Sequence, residues 1–194
     1  MMQTSLIESR SQAPFMAVSS GAPSAGDAAP RVDAGRFRAG MARMGGACTI
    51  ITAGHAGERA GLTATAVCSV SAEPPRLLVC VNRGVRAHQV IAASGRLGVN
   101  VLDARHENLA RRFAGMVQGV VGGDRFLEGD WVDSEHDVPV LRGALVSFDC
   151  RVIEETVSGT HSVFLCEVTD VAAADGAQSA LVYFNRNFVP ITVS

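Results

Sequence analysis

The chain has 194 residues, of which 47% are hydrophobic and 19% are charged, and its formal net charge is −2. This composition predicts one soluble domain with a sizeable core. It also predicts enough additional apolar residues on the surface for a dimer interface. The near-neutral charge excludes a global basic field for nucleic acid or anionic lipid, and no apolar run reaches the roughly 18 residues of a membrane helix.

Two residue types limit the chemistry further. All 17 basic residues are arginine, which excludes mechanisms that need a lysine amine, so a phosphate must be held by arginine, backbone N–H groups or hydroxyls. The five cysteines are odd in number and form no C-x-x-C motif, so neither a disulfide framework nor a metal site is predicted. The first residues, MMQTSLIESRSQAPFMAV, lack the features of a signal peptide, and we predict a cytoplasmic protein.

The first 32 residues are rich in Ser, Ala, Gly and Pro, and we interpret them as a disordered tail before a single domain at 33–194. Phe37, Met41 and Met44 have the spacing of a short amphipathic helix. Residues 47–53 and 61–67 then predict two strands joined by a hairpin turn at GHAGER.

The remainder of the chain predicts mainly strands, with two more short helices. The two prolines of SAEPPR interrupt the pattern, and residues 116–142 are irregular. Strands are predicted at 76–81, 97–102, 144–155, 162–171 and 180–188, and helices at RAHQVIAAS and from Asp103 through Phe113, with Gly115 at its end. Six or more strands linked mostly by short turns indicate a small antiparallel barrel.

The first candidate binding segment is GLTATAVCSVS, which starts at Gly61 and leads into Pro74-Pro75. Small side chains and hydroxyls alternate along it, so a flat ring system can approach the backbone and form hydrogen bonds with it. The simpler interpretation is a Thr- and Ser-rich edge strand that faces water.

The second candidate segment is VNRGVRAH, from Val81 to His88, where a strand ends and a helix begins. The free N–H groups at a helix start favour an anion. Arg83 and Arg86 are candidates to clamp a phosphate, and His88 is a candidate donor. Taken alone, these residues are more simply explained as solvated turn charges.

The third candidate segment is Gly159-Thr160-His161-Ser162, a tight turn between two long predicted strands. A histidine at this position is able to face a cleft while its neighbours hold the ring. A lone histidine beside a turn is more often only exposed.

Together and in this order, these segments resemble the flavin reductase family of FMN-binding split barrels, which supplies reduced flavin to two-component monooxygenases. The resemblance extends from about Phe37 to Phe188 and includes LGVNVL, LARRFAG, PVLRGALVSFDCRV, GTHSVF and LVYFNRNF. It implies a mainly β fold, an antiparallel split β-barrel of Greek-key type with a few short helices. It also implies FMN or FAD as the flavin, NADH or NADPH as the electron donor, a homodimer and a transient monooxygenase partner.

The resemblance implies roles for particular residues. The isoalloxazine and ribityl chain would lie against Thr63, Ala64, Thr65, Ala66, Cys68 and Ser69. The phosphate would be held by Asn82, Arg83 and His88, and the turn of Phe113, Ala114 and Gly115 would complete the flavin site. The nicotinamide side would be formed by Gly159, Thr160, His161 and Ser162, with Tyr183 and Arg186 approaching from the last strand.

His161 is the one residue expected to act in the reaction, by orienting the dihydronicotinamide rather than as a general acid. Hydride transfer from nicotinamide to flavin is chemistry of the two cofactors, and the protein contributes mainly by positioning them. The chain departs from the family pattern at Val85, where a Ser or Thr is common, and at Cys166, where a glycine is usual.

Three other functions remain compatible with these segments. One is an oxidase similar to pyridoxamine-phosphate oxidase, which would also hold FMN but act on an amine. The second is a non-catalytic flavin or haem carrier of the same fold, and the third is a reductase that acts on a corrinoid or ferric complex through bound flavin. The GTH turn favours the flavin reductase.

Overall fold

The structure, a computed structural model, describes residues 32–176 and 179–192. The predicted tail lies outside the described residues up to position 31. The described chain is mainly antiparallel β, in sheets of seven, three and two strands. The strands are β1 (Gly46–Ala47), β2 (Thr49–His55), β3 (Glu58–Ala64), β4 (Val67–Ala72), β5 (Pro75–Asn82), β6 (Arg96–Val101), β7 (Trp131–Asp133), β8 (Pro139–Leu141), β9 (Val146–Ser158), β10 (His161–Ala173), β11 (Ser179–Phe184) and β12 (Asn187–Thr192).

The helices are short, as the sequence predicts. They are α1 (Ala34–Met41), α2 (Arg86–Ser94) and α3 (Glu107–Phe113), with 3-10 turns at Ala104–His106 and Gly122–Leu127. In the described part of the chain, no helix is long and apolar enough to cross a membrane.

The large sheet curls far enough for its two edge strands to be joined by a short link. Its strand order is β3-β2-β6-β9-β10-β5-β4, so β3 and β4 are opposite edges although they are consecutive in the chain. Only Thr65 and Ala66 separate them, and such a link spans about 11 Å at most. The end of β3 therefore lies close to the start of β4, and we call this crossing at Thr65–Ala66 the seam. The two edge strands do not pair with each other, so the barrel is split rather than closed.

The main core fills the inside of this curled sheet. Alternate residues of β5, such as Val79 and Val81, point inward to meet Phe164 of β10, and α2 closes the core with Val90 and Ile91. The helix ends at Gly95, whose φ of +66° is a left-handed conformation that favours glycine. The core thus fixes which side chains of β5 and β10 face outward.

A second core lies beside the seam. It joins α3 to the three-stranded sheet through Leu109, Phe113 and Leu181. Phe113 also packs against Phe126 and Trp131, with ring centroids 5.0 and 5.3 Å away. The segment 116–142, predicted as irregular, therefore supplies two aromatic side chains and the short β7–β8 hairpin.

The antiparallel barrel-like fold is confirmed, but two local predictions are wrong. The run after Gly61 is not one strand, because it leaves β2 at Ala64 and pairs with β5 from Val67. Residues 180–188 are not one strand either; Asn185 and Arg186 have φ of +49° and +63° and turn the chain into the β11–β12 hairpin.

Strand β9 keeps its predicted face but is covered on the other side as well. The alternation of residues 144–155 places Val146, Phe148, Cys150 and Val152 on one face, and Phe148, Cys150 and Val152 pack in the main core. The alternate residues Ser147 and Asp149 are also buried. Ser147 donates to Asn100 of β6, and Asp149 accepts a hydrogen bond from Ser134 of the loop between β7 and β8.

Candidate functional site

A cavity of about 290 Å³ lies at the seam, where β3, β5 and β10 come together. Small and apolar residues dominate its wall, with a few polar groups among them. It is lined by Cys48, Leu62, Thr63, Ala64, Thr65, Ala66, Cys80, Asn82, Ala114, Met116, His161, Tyr183 and Phe188. An apolar cleft with a few convergent polar groups is the usual form of a small-molecule site.

The chain from Thr63 to Ala66 forms one wall of this cavity. The hydroxyl of Thr63 donates to the carbonyl oxygen of Ala110 in α3 at 2.6 Å, and Thr49 donates to the carbonyl oxygen of Ala64 at 2.8 Å. Thr65 and Ala66 are exposed where the chain crosses the seam. The wall is thus anchored from behind and presents small side chains and backbone to the cavity, as the sequence predicts.

His161 and Asn82 lie side by side at one end of the cavity. They are paired residues on neighbouring strands β10 and β5, and both line the cavity. The His161 Nδ1 lies 2.9 Å from the Thr160 hydroxyl oxygen, which leaves Nε2 free of any hydrogen bond with a described residue. Gly159, with φ of +57°, makes the tight turn that places this pair.

A second hollow, of about 720 Å³, continues from the first one. The two share Thr65, Ala66 and Tyr183, and the second is also lined by Arg186 and by Met41 of α1. Together they form a groove along the seam with an apolar end near His161 and an arginine at the other end.

The groove fits a flavin on three observations. Its volume is in the range of cofactor sites, its wall is mostly apolar, and the Thr and Asn groups supply hydrogen-bonding partners for a ring edge. A Cβ added to Gly46 would lie 3.0 Å from the Thr65 Cβ, so the backbone is already packed closely beneath the groove. The residues able to hold the ring system are those from Thr63 to Ala66, with Asn82 and Tyr183.

Eight of the residues predicted from the sequence meet at this cavity. They are Thr63, Ala64, Thr65, Ala66, Asn82, Ala114, His161 and Tyr183, and Arg186 lines the adjoining hollow. Gly159 and Thr160 do not line the cavity, but they form the turn that holds His161.

Three predicted residues lie in the interior instead, which corrects their expected roles. Phe113 is 1% exposed and packs against Gly61. Ser162 is completely buried because it points to the opposite side of β10 from His161. His88 is half-buried, and its Nε2 lies 2.9 Å from the Ser162 hydroxyl rather than facing the cavity.

Four further residues lie near the seam but outside the cavity lining. Cys68 and Ser69 are exposed on the edge strand β4, Gly115 ends α3 with φ of +73°, and Arg83 is exposed in the turn after Asn82. The Arg83 side chain forms no ion pair or hydrogen bond with any residue in the described ranges, while Arg86 is held by Glu58 at 2.6 Å. Of the two predicted phosphate arginines, only Arg83 is therefore available.

Five residues that were not predicted as site residues also line the cavity: Cys48, Leu62, Cys80, Met116 and Phe188. The sequence could have predicted Cys80 as a lining residue. It lies between Val79 and Val81, which point inward, and therefore on the same face of β5 as Asn82. Burial raises the pKa of the Cys48 thiol to about 11 and also raises that of Cys80. Both thiols are protonated at neutral pH and form part of the apolar lining.

The fold and the groove define a class: a split-barrel protein with a cofactor-sized cleft at the seam. A family model described as "Flavin reductase like domain" matches residues 41–192. The chain belongs to this family. The matched range starts at the end of α1 and contains every strand described above, so the resemblance stated from the sequence is confirmed.

Individual relatives agree with the family. The chain is 46% identical to the FMN reductase (NADH) RutF of Agrobacterium fabrum over 152 residues, which cover 78% of this chain and 85% of that protein. It is 44% identical to the reductase component of 4-hydroxyphenylacetate 3-monooxygenase of Pseudomonas aeruginosa, over 78% of this chain and 88% of that one.

Solved structures show the same fold. The NADH:FAD oxidoreductase SgcE6 of Streptomyces globisporus, in complex with NAD and FAD fragments, superposes with a TM-score of 0.73 at 30% identity. That alignment covers 83% of this chain and 96% of SgcE6. BorF, the flavin reductase component of a two-component tryptophan halogenase, superposes with a TM-score of 0.75 at 27% identity over 84% of this chain and all of BorF.

Proposed function

We propose that this chain is an NAD(P)H-dependent flavin reductase that binds FMN or FAD at the seam and delivers the reduced flavin to a partner monooxygenase. The observation that carries the proposal is the groove itself, in which Thr63 to Ala66, Asn82 and His161 converge on one apolar cavity. The oxidoreductase activity agrees with relatives named FMN reductase (NADH), and the partner with relatives named as reductase components.

The residues divide into two groups within the groove. The wall from Thr63 to Ala66 is suited to support the flavin ring through small side chains and backbone groups, and Tyr183 lines the same cavity. His161 stands at the end of the cavity, where its free Nε2 is able to hydrogen-bond the carboxamide of a nicotinamide.

The chain contributes to the reaction mainly by holding two rings in contact. The bound flavin supplies the acceptor for the nicotinamide hydride, so no acid–base pair of the protein is required. The apolar wall of Leu62, Met116 and Phe188 excludes water from the contact. Well-oriented reactants can lower a barrier by about 7–11 kcal/mol, so positioning is a sufficient role for this site.

NADH oxidation with FMN, with FAD and with no added flavin tests the proposal directly. A flavin reductase oxidises NADH only when flavin is present, and it turns over many equivalents of free flavin. A flavin that stays bound and is never reduced would support a carrier, and activity only with an amine, a corrinoid or a ferric complex would support the other functions considered above.

We also propose a homodimer with the groove near its interface. The outward side of β5 and β10 carries Leu78, Cys80, Val163 and Leu165, all only half-buried, on the same face as His161. A second subunit over this face would bury apolar surface and deepen a groove that is open to solvent. Sedimentation at micromolar concentration should give about twice the 20.3 kDa chain mass, and a single species at the monomer mass would contradict the proposal.

A further inference from the structure

Arg125 takes the place of a strand neighbour at the open edge of β3. This strand pairs with β2 and ends the seven-stranded sheet, so its outer backbone groups face no other strand in the described part of the chain. The Arg125 Nη1 donates to the Gly61 carbonyl oxygen at 3.0 Å and to the Phe113 carbonyl oxygen at 3.3 Å. One guanidinium nitrogen therefore joins the edge strand to the end of α3.

Arg112 makes the same connection in the opposite direction. It belongs to α3 and is only 8% exposed. Its Nε donates to the Arg125 carbonyl oxygen at 3.1 Å, and its Nη1 donates to the Glu128 carboxylate at 2.8 Å. The 3-10 turn that carries Arg125 is thus fixed to α3 from both sides. We call the hydrogen bonds of Arg112 and Arg125 the arginine clamp.

The arginine clamp lies directly behind two walls of the cavity at the seam. Leu62 follows Gly61 in the wall on β3, and Ala114 follows Phe113 in the wall at the end of α3. Arg125 itself does not line that cavity. Its two hydrogen bonds therefore act on the cavity through the backbone that carries the walls.

We propose that Arg125 is a positioning residue for the flavin, because it fixes the distance between these two walls without contact with the ring. The inference rests on the proposed function, in which the flavin ring lies against the wall on β3. Without the guanidinium, the carbonyl oxygens of Gly61 and Phe113 would lose their donor and would turn towards water. The walls would then move apart, and a gap of 0.5–1 Å already forfeits about a quarter to a half of the dispersion attraction at a contact.

Dissociation constants for FMN and riboflavin, from quenching of flavin fluorescence, test this inference without turnover. Arg125→Met removes both donors at similar side-chain length and should raise the two constants equally, by about tenfold or more, as the loss of a hydrogen bond to a charged group does. Arg125→Lys keeps the charge and a donor but lacks the planar guanidinium, so both constants should rise about two- to fivefold.

The matched control is Arg105→Met. The Arg105 guanidinium also donates to a backbone carbonyl oxygen, that of Gly143 at 2.8 Å, and neither residue lines the cavity. This variant should leave both flavin constants within twofold.

A second measurement separates positioning from a general loss of stability. With flavin at saturating concentration, Arg125→Met should keep its Michaelis constant for NADH within twofold, because Asn82 and His161 lie on β5 and β10 rather than on the clamped walls. A variant that had merely become unstable would lose activity at every flavin concentration, and a rise in the NADH constant equal to that of the flavin constant would contradict the inference.

The two flavins distinguish the remaining outcomes. If Arg125→Met weakens FMN but not riboflavin, Arg125 binds the phosphate directly and the positioning role is wrong. Flavin constants within twofold of the unmodified protein would show that Arg125 only supports the fold. If Arg125→Met does not fold, Arg125→Lys decides, since unchanged constants in that variant contradict the inference. If the unmodified protein neither binds nor reduces a flavin, the proposed function fails instead.

Discussion

His161 is the side chain that we propose to orient the nicotinamide. Its ring is held by Thr160 at 2.9 Å and by the turn at Gly159, and it lies beside Asn82. The wall that would support the flavin is on another part of the groove, around Thr65. The two binding functions therefore rest on different residues and can be separated by mutation.

We expect His161→Ala to raise the Michaelis constant for NADH and to slow flavin reduction, with flavin affinity hardly changed. One orienting hydrogen bond is worth about 0.5–1.5 kcal/mol, or roughly a two- to thirteenfold loss in kcat/KM. Stopped-flow reduction of bound flavin by NADH between pH 6 and 9 measures the effect. A general acid would instead cost about 100-fold or more and would remove a pH dependence.

The matched control is His55→Ala, which removes another exposed histidine at the end of β2, outside the cavity lining. It should behave as the unmodified protein. If the His161 variant reduces flavin at the rate of the unmodified protein at every NADH concentration, His161 does not take part in NADH binding.

At the scale of elements, β3 and α3 approach each other closely at Gly61. A Cβ at this position would lie 2.8 Å from the Phe113 ring and 2.9 Å from the Ile51 carbonyl oxygen. Both neighbours belong to the packed interior, so neither has room to move. This contact holds α3 against the strand that carries Thr63.

Gly61→Ala should therefore destabilise the protein by about 1–3 kcal/mol, as overpacked core positions do. Urea denaturation measures the change. Gly123→Ala is the control, because no atom lies within 4 Å of the added Cβ and its effect should stay within about 0.5 kcal/mol. Equal stability of the two variants would show that α3 is free to move away from β3.

The start of α3 makes folding stability depend on pH through His106. Burial, helped by the charge of Arg105, lowers the pKa of His106 in the fold, and its Nδ1 is buried without a hydrogen-bonding partner among the described residues. The unfolded chain therefore binds more protons than the folded chain just below pH 6.5. The free energy of unfolding should fall as the pH drops through this window.

Replacing this histidine by a residue that does not titrate should flatten that pH dependence. Urea denaturation of His106→Gln at pH 5, 6, 7 and 8 measures it, and His55→Gln at an exposed position serves as the control. A slope in the His106 variant equal to that of the unmodified protein would assign the pH dependence to other groups.

At the scale of the whole molecule, the groove brings together segments that are distant in the sheet order. A flavin in it would contact β3, the Thr65–Ala66 link, Asn82 of β5 and His161 of β10. We therefore expect FMN or FAD at about 100 times its dissociation constant to stabilise the fold by about 2.7 kcal/mol. For a chain of this size that is a rise in Tm of roughly 5–11 °C, measured by circular dichroism.

The absence of a shift with either flavin at high concentration would contradict flavin binding at the seam. Thr65→Trp offers a matched test of location, because it fills the shared wall of the two hollows. This variant should lose the shift while keeping the Tm of the flavin-free protein, since Thr65 is exposed.

The sequence by itself determined the strands, the short helices and most of the groove. The alternation of Val79, Cys80, Val81 and Asn82 defines an inward and an outward face, because side chains of a strand point to opposite sides. The GTH turn was equally visible, since Gly159 is suited to its left-handed conformation. These are local properties, and they depend only on residues close in the chain.

Only the tertiary structure decided which of these residues meet. At Thr65 the chain passes from one edge of the seven-stranded sheet to the other, because β3 pairs with β2 whereas β4 pairs with β5. This pairing depends on the curvature of all seven strands. Ser162 and His88 were predicted to face ligands, but Ser162 points to the inward side of β10, where it meets His88 of α2 and Glu155 of β9. Pairing between distant segments follows from how the whole core packs, and neither periodicity nor a motif contains that information.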